Sequence, residues 1–155
     1  MPNPLPRSTT SCLLRGARAW VLIAVAEMLH GVARNIFLVP RVGDLASRQI
    51  GVFTGSLIIL AIACATIRWI RPSDQRELRA VGAMWLGLML AFEVSLGRAF
   101  GMSWDRILSD YEPWRGGFMV VGMTVIACAP TLAARLRGVT VAPACDGRPP
   151  RREHR

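Results

Sequence analysis

Glu27, His30 and Arg34 stand three and four residues apart inside one long apolar stretch, and Glu93 stands inside another. On a helix the first three fall on one face with Gly31, so their polar atoms converge on a single side. Ionisable groups among apolar residues are costly unless they meet a partner or a wet cavity, and they mark proton relays, ion paths or contacts that fix helix register. Glu27 and His30 are a candidate proton or ligand site, because burial disfavours the charged form of either group and lets a proton pass between them. Arg34 and Glu93 are a candidate structural ion pair, which would hold two helices in register whether or not a ligand is served.

These residues need helices to position them. Residues 20–39, 50–70, 80–100 and 116–134 are long and almost uncharged. At about 1.5 Å per residue each can cross a hydrocarbon layer of roughly 30 Å. The expectation is an all-α fold, an integral membrane bundle of four transmembrane helices. Its domain would cover residues 19–137, between a disordered N-tail over 1–18 with three prolines and a disordered basic C-tail over 138–155.

The first span does not insert comfortably alone. Its Leu, Ile, Phe and Val residues contribute roughly −3 to −6 kcal/mol, while each central acid or arginine costs about 2.5–3.5 kcal/mol. Neighbouring helices must therefore satisfy its polar groups. Arg34 and Glu93 sit about 7 and about 4.5 Å from the centres of their spans, both on the outer half. Matched heights predict an ion pair between spans one and three, with Glu27 and His30 deeper and hydrogen-bonded to each other.

The connection between spans three and four carries its own pattern. Trp104, Ile107, Leu108 and Tyr111 recur at helical spacing, which predicts a short amphipathic helix on the outer, periplasmic surface. It would either cap the bundle or present Asp105, Asp110 and Glu112 as an acidic outer rim for a cation. Gly97 with Gly101, and Gly51 with Gly55, offer small-residue faces for close helix approach, within the chain or with a second copy.

Charge sets orientation and excludes several classes. The net charge of +9 comes from arginine alone, since lysine is absent. Thirteen arginines fall in the two tails and the second connection against five in the other connections, which places both termini in the cytoplasm. Tryptophans near both boundaries, Trp20, Trp69 and Trp85 inside and Trp104 and Trp114 outside, fit interfacial belts. No folded basic domain exists to bind nucleic acid. Cys12, Cys64, Cys128 and Cys145 form no Cys-x-x-Cys pair, so neither a metal site nor a thiol redox centre is expected.

Ala24-Val25-Ala26 suits a signal-peptidase site, but the apolar core before it is short and hydrophobicity continues to Val39, so the segment is expected to be retained. With one histidine in the spans and no phosphate loop or nucleophile elbow, neither catalysis nor a cofactor is expected.

Leu22-Ile23-Ala24-Val25-Ala26-Glu27 followed by Gly31 resembles the first helix of small multidrug-resistance exporters. That resemblance implies a first-helix glutamate that binds protons and cations. Arg48 to Gly55, Gly97-Arg98, Ser103-Trp104 and Asp110-Tyr111 resemble segments of a family of small bacterial four-helix inner-membrane proteins without an assigned activity, which implies the same layout and supplies no catalytic residues.

Two roles follow as expectations. One is a multi-pass protein of the bacterial inner membrane acting as a scaffold or accessory subunit, with the lipid bilayer and a homo-oligomer or membrane complex as partners. The other is a small proton-coupled carrier or exporter titrating at Glu27 and His30.

Overall fold

The computed structural model describes residues 9–142. Among them the chain is all-helical apart from one isolated bridge, and four helices are long and apolar enough to cross a membrane. They belong to α1 (Thr9–Ala33), α3 (Asp44–Ile70), α4 (Gln75–Ala99) and α6 (Met119–Leu136), with the short α2 (Val39–Val42) and α5 (Trp104–Ser109) between them. α1 packs on α3 and α4, and α6 closes the ring against both α3 and α4. Helices one and three of the four long ones are thus neighbours, while the consecutive α3 and α4 lie diagonally.

Local chemistry explains the corners. Pro40 cannot donate to the carbonyl four residues back, and a π-helical turn over Arg34–Leu38 absorbs the mismatch, with Val39 N–H donating to the Arg34 carbonyl. Gly43, at φ 80°, then lets the chain reverse into α3. The expected first connection is therefore mostly helix. At the other end Arg71 takes a left-handed conformation before Pro72. Asp74 caps α4 by accepting from Glu77 N–H at 2.8 Å, while the Glu77 carboxylate accepts from Ser73 N–H at 2.8 Å.

Over residues 9–18 the N-tail expectation needs correcting, while residues 1–8 lie outside the described residues. α1 begins at Thr9, because Cys12, Gly16 and Ala19 are buried and pack this first arm onto the bundle. Gly16 faces Val81 and Met84, and the fully buried Trp85 donates its Nε1–H to the Gly16 carbonyl at 2.8 Å. Trp85 is thus a core residue and no part of an interfacial belt. Residues 138–142 are also held, with Val139 and Val141 against the core and Ala142 bridging Asp74. The rest of the expected tail, 143–155, lies outside the described residues.

Burial is uneven along the bundle. Ile23, Ile67, Ile70, Leu78, Val81, Trp85, Ile126 and Ala133 pack the half that holds both described chain ends. Gly82 lets α4 lie directly on the Ala127 carbonyl of α6. The opposite half contains Glu27, His30, Arg34 and Glu93 and is less closely packed.

Candidate functional site

A half-open cavity of about 420 Å³ occupies that opposite half, between α1, α3, α4 and α6 and beneath the connection that carries α5. Ile59, Met89, Met123 and Ile126 form its floor above the packed half, and most of the lining is apolar. Glu27, His30, Arg34 and Glu93, the four polar residues singled out in the spans, all line it. The size and the apolar wall with few convergent polar groups are those of a small-molecule site.

Two glycines of α3 seat the α1 side chains. A Cβ at Gly55 would lie 2.7 Å from Glu27 Oε2, and one at Gly51 would lie 2.8 Å from Arg34 Cδ. The small-residue face of α3 therefore receives side chains of this same chain. The Gly97–Gly101 expectation is corrected too. Ile107 of α5 covers Gly97, and Gly101 sits in the turn beyond α4 at φ 73°.

Glu27 Oε2 lies 3.4 Å from His30 Nδ1, so the expected pair is in contact. His30 Nε2 meets Thr54 Oγ1 at 2.8 Å, a partner that sequence reasoning missed. Thr54 Oγ1 also lies 3.1 and 3.2 Å from the Ile50 and Gly51 carbonyls, and its one proton cannot serve both sides. If the hydroxyl donates to a carbonyl, Nε2–H donates to Thr54 and one proton must sit between Nδ1 and Glu27. If the hydroxyl donates to Nε2, Nδ1–H donates to an ionised Glu27. Rotation of that one hydroxyl thus decides which tautomer His30 presents to Glu27. Glu27 Oε1 is buried and accepts no hydrogen bond among the described residues.

The expected direct pair between Arg34 and Glu93 is not formed: among the described residues no ion pair within 4.0 Å joins them. Arg34 Nη1 donates to Ser47 Oγ at a long 3.5 Å, and Ser47 is itself held by the Asp44 carbonyl at 2.8 Å. Glu93 lines the cavity within reach of the charges of Glu27, Asp110 and Arg34. α1 and α4 are neighbours as expected, but Arg34 and Glu93 line the cavity without meeting.

The acidic rim is also corrected. Asp110 turns inward, bonded to Arg48 Nη1 and, at 3.0 Å, to Arg106 Nη1. Asp44 completes a four-charge ring, 3.2 Å from both Arg48 Nε and Arg106 Nη2. Asp105 is exposed in the first turn of α5, and Glu112 is half-buried beyond its end. Asp44, Arg48 and Arg106 escaped the sequence reading because they looked like ordinary loop charges. Of the predicted amphipathic face only Ile107 is buried, whereas Trp104 and Leu108 are exposed. Tyr111 is half-buried with its hydroxyl unbonded. Burial, with the carboxylates of Glu93 and Asp110 nearby, pushes its phenol up to about 12.

No group of three or more metal-ligating side chains occurs among the described residues. Comparison with protein-family models, with curated proteins and with solved structures finds no match.

Proposed function

We propose that this chain is a small proton-coupled carrier of the bacterial inner membrane, binding its ligand in the hollow half of the bundle. Both termini lie in the cytoplasm and α5 lies on the periplasmic side, as the arginine distribution argues. The observation that carries the reading is the open gap between Arg34 and Glu93. A scaffold that used them only for helix register would close that pair, whereas here both line a cavity of ligand size.

The Glu27–His30–Thr54 chain supplies the proton-holding element, with one wall of the cavity at its end. The packed half below the cavity acts as the inner barrier in this conformation, so passage requires it to open in turn with the outer half.

The test replaces Glu27 with Gln, and separately Glu93 with Gln, in a strain whose deletion has a phenotype. Glu27→Gln is expected to keep normal membrane abundance while activity falls at least about tenfold, in the range that loss of a proton-transfer group produces. Full activity in both variants, or loss of the protein itself in both, would overturn the carrier.

A further inference from the structure

We infer that the cavity takes a small zwitterion with an apolar body, of the α-amino-acid type, its carboxylate on Arg34 and its ammonium on Glu93. This rests on reading the cavity as a ligand site. Asp44, Arg48, Arg106 and Asp110 pair with one another at the roof and sum to zero. Glu27 and His30 contact each other, and with one shared proton that pair is neutral as well. Arg34 and Glu93 are left facing the same space.

Arg34 has five N–H donors and spends one on a 3.5 Å contact, while Glu93 accepts no hydrogen bond among the described residues. Opposite charges held apart in a low-dielectric space are poorly compensated. A ligand that carries both charges repairs the deficit on each side at once and adds no net charge to the cavity. A pure cation would pair with Glu93 and leave the arginine facing it, and a pure anion would do the reverse. The gap exceeds 4.0 Å and both residues line the one cavity, so an ammonium–carboxylate unit can bridge them. Met89, Phe92, Phe118 and Met123 provide a deformable apolar wall for the body of the ligand.

The test uses three probes with one ring and chain but different charges: L-phenylalanine, 2-phenylethylamine and 3-phenylpropionate. Binding to the full chain in lipid nanodiscs is followed by calorimetry, with thermal unfolding to check that each variant is folded. Phenylalanine is expected to bind at least about tenfold more tightly than either analogue, since a site with paired polar groups rejects a ligand that lacks one of them. Arg34→Gln should bring phenylalanine down to the level of the amine, and Glu93→Gln down to the level of the acid.

Failure of phenylalanine to bind, equal binding of the amine, or unchanged preference in both folded variants would overturn the zwitterion. Equal or tighter binding of the amine, with proton release on binding that Glu27→Gln abolishes, would leave the proton-coupled cavity standing without it.

Discussion

Gly55 and Gly51 show how single residues make the cavity. Each lacks a side chain where Glu27 and Arg34 need room, so α1 can lay polar groups on α3 while its backbone stays close. Tyr111 reports on the same space, and it is the chain's one tyrosine, so its titration is free of overlap. Its near-ultraviolet absorbance should titrate with a midpoint of about 12, against the ordinary value of 10. The neutral phenol is favoured in the folded state, so its share of stability is intact below pH 10 and is lost as pH rises from 10 toward 12. A midpoint at the ordinary value would mean that Tyr111 faces water. The types and helical face of Glu27, His30 and Arg34 were legible in the sequence because helix periodicity alone aligns them. Thr54 was not, because a threonine on an apolar helix usually bonds its own backbone, and nothing local records that a histidine approaches it.

At the scale of elements, α5 is fixed by charge more than by its apolar face. Ile107 alone is buried, and Asp110 and Arg106 reach Arg48 and Asp44 at the start of α3. With Gly101 and Gly116 in left-handed conformations at either side, the connection has points where it can bend. Asp110→Asn should leave the two arginines short of a partner and raise opening of α5 by roughly fivefold, corresponding to about 1 kcal/mol for a partly exposed network. Hydrogen exchange of the Trp104–Ser109 amides measures it, and unchanged protection would show that the ring does not hold the roof. The existence of α5 was legible in its periodicity, but its anchoring was not, since Asp44 and Arg48 lie more than fifty residues from Arg106 and Asp110 in sequence. The start of α1 was misread for a related reason. Cys12, Gly16 and Ala19 are small residues, and Val81 and Met84 of α4, which pack against Gly16, lie far away in sequence.

For the whole molecule, the decisive feature is the division into a packed half and a hollow half. The four apolar runs were readable because length and hydropathy are local properties, whereas packing density depends on which helices adjoin. Placing α1 beside α4 followed from matched heights, but whether their charges would close or stay open could not be seen without the side-chain seats on α3. Water should therefore reach the polar half and be excluded from the other. In a variant lacking the four natural cysteines, Gly122→Cys places a thiol on the cavity wall where a Cβ meets only ordinary contact, and Ala63→Cys places one in the packed half at 0% exposure. A membrane-impermeant thiol reagent applied from the side opposite the termini should modify the cysteine at 122 and spare the one at 63. Protection at 122, or equal modification at both, would contradict the hollow half on which the proposed function depends.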